Sequence, residues 1–154
     1  MLSDSALLGL PAPAKLNLFL HVVGRRPDGK HLLESVFTLI DLHDTIDLFR
    51  LEEPVVERTG DVIGNVEKDL CVRAARLLME TFDVRSGVRI HVEKRIPAGA
   101  GMGGGSSDAA TVLIGLNRLF GLGLSRSALM ELGERLGADV PFFIFGRTGF
   151  VEGI

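Results

Sequence analysis

The stretch Ala98-Gly-Ala-Gly-Met-Gly-Gly-Gly105 constrains what this chain can fold into more than any other. Glycine in a helix interior costs about 1 kcal/mol relative to alanine, so a run this rich in glycine cannot be regular structure. Order is expected on both sides of it. Before it, Gly87 to Ile96 alternates, with Val88, Ile90 and Val92 opposite Arg89, His91 and Glu93, and ends at Pro97; this predicts a strand. After it, Ser106 and Ser107 are good caps for a helix whose stripe is Ala109, Val112, Leu113, Leu116 and Phe120. Strand, glycine loop and helix together suit phosphate, because backbone N–H groups free of side chains converge on an anion at the positive end of the helix.

The remaining patterns are mixed. Lys15 to Val23 alternates, which predicts a strand with Leu16, Leu18, Leu20 and Val22 on its apolar face and Lys15, Asn17, Phe19 and His21 on its polar one. A turn-rich connection, Gly24 to Gly29, leads into two further strands, His31 to Ile40 and Thr45 to Leu51, as a meander. Beyond a loop at Gly60 to Asn65, the spacing of Leu70, Ala74, Leu77, Leu78 and Phe82 predicts a helix over Lys68 to Phe82, with Arg73, Arg76 and Glu80 outside. Another helix starts near Ser125 and buries Leu129, Leu132 and Leu136 before Gly137. The apolar runs Phe142 to Phe145 and Thr148 to Val151 read as short strands. Strands first and mixed elements later favour an α+β fold over a regularly alternating parallel sheet.

Composition narrows the partners. A chain of 154 residues, 46% hydrophobic, fits one domain that needs no disulfide to fold. Its single cysteine, Cys71, agrees with a reducing compartment, and the cytoplasm is the expected location. The net charge of -3 argues against a nucleic-acid partner, and no stretch approaches the roughly 20 apolar residues of a membrane span. Met1 to Leu10 lacks the basic start of a secretory signal. Small-molecule partners fit best, and the sequence is silent on oligomeric state. With no Trp and no Tyr, any aromatic contact to a ligand falls to one of nine Phe.

Three kinds of anion loop compete. Gly99-Ala-Gly-Met-Gly-Gly104 matches the dinucleotide form G-x-G-x-x-G, yet no strand with an acidic end follows the helix, which runs through Gly121-Leu-Gly-Leu into another helix. The P-loop form lacks its lysine, because Gly105-Ser106 stands where Gly-Lys is needed. The third form is Pro97-Ala-Gly-Ala-Gly-Met-Gly-Gly-Gly-Ser-Ser-Asp-Ala109, which resembles the phosphate loop of the GHMP kinases, with Met102 where Leu is usual. Pro13-Ala-Lys-Leu-Asn-Leu-Phe-Leu-His21, Arg25-Arg-Pro-Asp-Gly29, His31-Leu-Leu-Glu-Ser-Val-Phe37 and Gly137-Ala-Asp-Val-Pro141 resemble the same family, so the likeness extends over almost the whole chain.

That resemblance implies a GHMP-kinase N-terminal domain over residues 1–154, of the ribosomal protein S5 domain 2-like fold. The second domain usual in the family is missing where the sequence stops at Glu152-Gly-Ile154. It implies ATP-dependent phosphorylation of the 2-hydroxyl of a cytidyl diphosphate sugar alcohol in non-mevalonate isoprenoid biosynthesis, with Mg²⁺. By the same likeness Asp139 is the catalytic carboxylate and Lys15 its partner. Lys15 also needs an anion on physical grounds, since a lysine among apolar neighbours is costly alone. Asp139 precedes the restricted Val140-Pro141 pair, which predicts extended backbone nearby. The ATP site comprises Lys94, Pro97, Ala98, Gly99, Ala100, Gly101, Met102, Gly103, Gly104, Gly105, Ser106 and Ser107, with Ser106 and Ser107 also able to meet Mg²⁺. Asn17, Lys30 and His31 fall at the cytosine end of the substrate, although Lys30 replaces the family's usual aromatic residue. Asp108 favours the helix dipole and receives no chemistry; His43 and His91 read as surface or strand-face residues. Two rival readings are a nucleotide-binding module without turnover and a dinucleotide-dependent oxidoreductase.

Overall fold

The computed structural model describes residues 5–25, 31–62, 64–98 and 103–146, with the backbone alone for 17–25 and 31–37. Four strands, β1 (Ala6–Arg25), β2 (His31–Leu51), β3 (Val56–Gly60) and β4 (Gly87–Glu93), form one sheet in the order β1-β2-β4-β3. Only β3 and β4 pair in parallel, joined through α1 (Leu70–Thr81); the other pairs are antiparallel. The sheet's inner face, with Ile46, Leu48, Val88, Ile90 and Val92 fully buried, is covered by α1 and α2 (Gly104–Leu119). Two further helices, α3 (Arg126–Leu136) and α4 (Val140–Phe145), pack on those. The layering is α+β, as the order of elements predicts.

Several elements differ from the sequence patterns for identifiable reasons. The first strand begins nine residues early, at Ala6, despite Pro11 and Pro13. Proline is tolerated there because β1 is an edge strand, where a missing N–H leaves no ladder bond unmade. His31 to Ile40 and Thr45 to Leu51 are not two strands but one, β2, whose continuity is kept by irregular pairing with β1. Val56 to Gly60, left out of the pattern reading, is a short strand with little alternation of its own. Its Arg58 and Thr59 are half-buried beside β4.

The C-terminal pattern misleads most. Phe142 to Phe145 is helical, not extended, because Pro141 sits at the start of α4, where its fixed φ suits a first turn and its missing N–H has no partner to lose. Phe143 and Ile144 are thereby buried against α2 and α3. The second proposed strand, Thr148 to Val151, lies outside the described residues.

The helix after the glycine loop is also not the amphipathic stripe expected. Every residue from Ser107 to Leu116 is buried, so α2 is the central helix, enclosed by the sheet and the other three. Gly115 makes this possible: a Cβ there would lie 2.5 Å from Leu48 Cδ1, inside van der Waals contact.

Candidate active site

Lys15 owes its position to an irregularity in the first hairpin. Ala12 and Ala14 face the core in regular alternation, which would leave Lys15 outside. Between Pro13 and Lys15, however, the pairing jumps from Pro13–His43 to Lys15–Leu39. Such bulges re-aim side chains. Lys15 turns inward and is 8% exposed, while Leu16 is 44% exposed, so the expected apolar face is inverted at this point. Its ammonium lies 3.3 Å from Asp139 Oδ2.

Asp139 is presented differently from the expectation. It is the residue before α4, with φ -88° and ψ -16°, helical rather than extended, and its side chain makes no capping bond. The carboxylate is therefore left for Lys15, half exposed at the surface while the lysine behind it is covered. Residues 124 apart in sequence meet here.

The third part is the end of the glycine loop. Ser106 and Ser107 do not cap α2, contrary to the sequence reading: the cap is Gly103, left-handed at φ +72°, with no side-chain bond to the first turn. An ideal Cβ on Gly103 would stand 2.8 Å from Phe143 Cζ and 3.3 Å from Lys15 Cε, so the loop backbone closes directly onto the Lys15 site. The opening N–H groups of a helix have no intrahelical acceptor, and among the described residues no side chain caps those of α2. N–H groups left so can meet an anion. Ser107 is fully buried and its hydroxyl donates to Pro13 O at 2.6 Å, tying the helix start to β1; Ser106 remains half-buried.

On the other side of the loop lies a charged cluster that sequence reasoning missed. Lys94, expected beside the nucleotide, is tied to two carboxyls: Nζ is 2.8 Å from Asp44 Oδ2 and 2.9 Å from Asp108 Oδ2. Burial, followed by the adjacent Asp44, pushes the Asp108 carboxyl up to about 8 despite Lys94. For Asp44 the largest influence, burial, is outweighed by bonds from Asp108, the Ile96 and Arg95 amides and Lys94, so its pKa falls below the usual value. For Lys94 the same two carboxyls outweigh burial and raise the ammonium's pKa. One signal could have found Asp44: it shares the parity of Ile46 and Leu48, so an acid stands on the core face of a strand.

The other expected site residues divide. Pro97 and Ala98 are exposed at the loop entrance, and Gly104 and Gly105 open α2. Gly99, Ala100, Gly101, Met102 and Lys30 lie outside the described residues. Asn17 and His31 are in strands but do not adjoin, since His31 pairs with Arg25 at the hairpin end and Asn17 with Phe37 further down its arm. His43 and His91 are half-buried on the strands; His91 Nδ1 meets Thr59 Oγ1 at 2.9 Å. A cleft of about 640 Å³ between Val55, Val56, Met79 and Val84 contains none of the expected site residues.

A helix that opens at Gly103 against a lysine–carboxylate pair, within an α+β layer, narrows the class to domains whose helix N-terminus can take a phosphate-bearing ligand. The dinucleotide reading fails on topology, because α2 is followed by α3 and α4 among the described residues and not by another parallel strand. Comparison with known proteins makes the class specific. The family model for the GHMP kinases N terminal domain matches residues 69–147, and the chain belongs to the GHMP kinase family. It is 59% identical over 145 residues to the 4-diphosphocytidyl-2-C-methyl-D-erythritol kinase of Ralstonia pickettii (strain 12J), covering 94% of this chain and 50% of that protein. To the kinase of the same name from Polynucleobacter necessarius subsp. necessarius (strain STIR1) it is 61% identical over 148 residues, 96% of this chain and 50% of the other. A crystal structure of 4-(cytidine 5'-diphospho)-2C-methyl-D-erythritol kinase superposes with TM-score 0.76 at 43% identity, over 89% of this chain and 48% of that one. The chain thus spans about half the length of the curated relatives it matches.

Proposed function

We propose that this chain carries the ATP-binding and catalytic part of a kinase that transfers a phosphoryl group from ATP to the 2-hydroxyl of 4-diphosphocytidyl-2-C-methyl-D-erythritol. The observation that carries the reading is the Lys15–Asp139 pair, 3.3 Å apart, against the backbone of Gly103. Relatives 59% and 61% identical to this chain over 145 and 148 residues bear that kinase's name.

Phosphoryl transfer needs alignment and charge stabilisation more than covalent help from the protein. The N–H groups opening α2 hold the phosphates in a fixed place. Asp139, half exposed, accepts a hydrogen bond from the acceptor hydroxyl and takes its proton as the oxygen attacks. Lys15 holds Asp139 in place and presents positive charge where the transferring group gains negative charge. Covering the lysine strengthens this interaction, since fewer waters screen it.

The donor set fits Mg²⁺. No group of three or more His, Cys, Asp or Glu side chains suited to holding a metal occurs among the described residues. Mg²⁺ commonly needs only one or two protein oxygens beside phosphate oxygens and water. Ser106 is the side chain that would hold it, and the ion when bound would neutralise phosphate charge. Ser107 is less suited because its hydroxyl is committed to Pro13. Asn17, Lys30 and His31 are the positions we assign to the cytosine end of the substrate, on the family likeness. The cytoplasm remains the expected compartment on the strength of the single thiol; no helix among the described residues is long and apolar enough to cross a membrane.

Asp139→Asn tests the reading. It keeps the shape and removes the proton acceptor, so turnover of the cytidyl substrate falls by at least 100-fold while calorimetric affinity for ATP with Mg²⁺ stays within a few-fold. Turnover within about tenfold of the parent, a barrier change of ~1.4 kcal/mol, refutes the role of Asp139.

A further inference from the structure

The charged cluster beside the glycine loop does not enter the chemistry above, yet it joins the elements on either side of that loop. Asp44 on β2 is fully buried, and its Oδ1 accepts N–H bonds from Arg95 at 2.6 Å and Ile96 at 2.9 Å, the residues that lead into the loop. Asp108, 3% exposed, lies in the second turn of α2, four residues after its first residue Gly104. Lys94 bridges the two, and its own N–H donates to Asp61 Oδ2 at 2.9 Å. Ile96, held by Asp44, is what a Cβ on Gly104 would meet, at 3.1 Å; Lys94 Nζ follows at 3.4 Å.

We propose that Asp44, Lys94 and Asp108 form a clasp that sets the separation of the two ends of the phosphate loop, with both carboxyls as positioning residues and Lys94 acting on ATP through them. The inference rests on the kinase reading for its ligand. Burying three ionisable groups is costly unless they fix one arrangement, and an exposed strand end would hold a lone lysine at less cost. Asp44 Oδ2 and Asp108 Oδ1 are buried, and what meets Asp44 Oδ2 comes from within the cluster, Lys94 Nζ at 2.8 Å and the neighbouring Asp108 carboxyl. A buried ion cluster contributes little net stability, because desolvation offsets the attraction. Its value lies in coupling: strand end, loop and helix start move together because one ammonium touches both sides.

The test compares Asp44→Ala, Asp44→Asn, Lys94→Met and the neutral triple variant Asp44→Asn/Lys94→Met/Asp108→Asn in the full chain. ATP affinity with Mg²⁺ is measured by calorimetry, the Michaelis constants of ATP and cytidyl substrate by kinetics, and exchange of the Ser107 amide by NMR. That amide donates to Gly103 O at 2.8 Å and reports the loop exit, away from Asp44. Asp44→Ala is expected to weaken ATP at least tenfold and speed Ser107 exchange at least tenfold, with the cytidyl Michaelis constant within twofold. Asp44→Asn, which retains an acceptor for Arg95 and Ile96, should recover most of both. The triple variant should bind ATP better than Lys94→Met alone, because no carboxylate is left uncompensated. A triple variant no better than Lys94→Met means that Lys94 meets the nucleotide directly and overturns the clasp, as does parental Ser107 exchange in Asp44→Ala. If the parent itself binds no ATP, the kinase reading falls, and Ser107 exchange still decides the clasp.

Discussion

Replacing Gly103, Gly104 and Gly105 one at a time by alanine should produce a graded series, because the same methyl meets three different surroundings. At Gly103 the backbone is left-handed, φ +72°, which costs an L-residue about 1–2 kcal/mol. The methyl would also stand 2.8 Å from Cζ of Phe143, a ring with no exposed surface to move into, adding about 1–3 kcal/mol of overpacking. The sum is about 2–5 kcal/mol, or a fall in Tm of roughly 4–20 °C for a domain of this size. At Gly104 the backbone is helical and the methyl lies 3.1 Å from Ile96 Cγ2, so a shift of a few tenths of an ångström offsets much of the helix-propensity gain. At Gly105 the first contact is Leu70 Cδ1 at 3.6 Å, ordinary packing, and alanine should stabilise by up to about 1 kcal/mol. Urea unfolding gives the three stabilities, and ATP titration of the same samples gives affinity. Gly103→Ala should weaken ATP most, since it displaces the backbone that closes on Lys15. Equal stabilities for Gly103→Ala and Gly105→Ala would refute the conformational argument.

Phe143→Ala should cost about 3–5 kcal/mol in urea unfolding and also weaken ATP, because the ring supports Gly103; Phe143→Leu should retain most of both. Asp108 gives a pH signature in nucleotide-free, EDTA-treated protein. Its carboxyl is raised from 3.8 to about 8 on folding, so between those values the native state holds a proton that the unfolded chain has released. Its contribution to stability is therefore greatest below about pH 4 and declines until about pH 8. Asp108→Asn removes this decline, and the stability difference between variant and parent should shift in the variant's favour from pH 5 to 8; parallel curves would contradict it. Asp44 titrates below 3.8 and Lys94 above 10.5, outside that window.

The fold was legible where one face of an element is buried and the other wet. The strand at Gly87–Glu93 satisfies that condition, and its pattern names the buried Val88, Ile90 and Val92; the helix at Leu70–Thr81 falls where its spacing predicts, but of the expected stripe only Ala74 and Leu78 are buried, Phe82 is exposed, and Cys71, Val72, Ala75 and Met79 are buried beside them. The pattern fails where it is absent. The helix α2 is covered on all sides, so its helical period carries no contrast, and α4 has only six residues, too few for a period, in a sequence of β-favouring Val, Ile and Phe. There, packing against α2 and α3 overrides local propensity. Alternation in β1 fails for a third reason: it assumes an unbroken pleat, and the irregular pairing after Pro13 reverses the inner and outer faces.

The same reversal explains why the candidate site was only partly legible. By alternation alone, Lys15 belongs to a solvent face and Asp139 to a helix-ending loop, and nothing local brings them together. The family likeness paired them, and the structure supplies the cause: the break in register that turns Lys15 inward and the helical start of α4 that leaves Asp139's carboxylate uncommitted to a cap. Asp108 was hidden by a sound rule. With Ser106 or Ser107 as cap it falls in the first turn, where a carboxylate is ordinarily a solvated complement to the dipole; α2 begins earlier, at Gly104, which puts Asp108 in the second turn, and the enclosure of α2 makes it a buried acid. Lys94 was placed near the nucleotide by the family likeness alone, and its burial was not legible, because strand ends usually reach water. Both misreadings share a physical root. Sequence reports the element to which a charge belongs, whereas its pKa and its role follow from what other elements bring against it, here Asp44 from a strand whose parity alone marked it as facing inward.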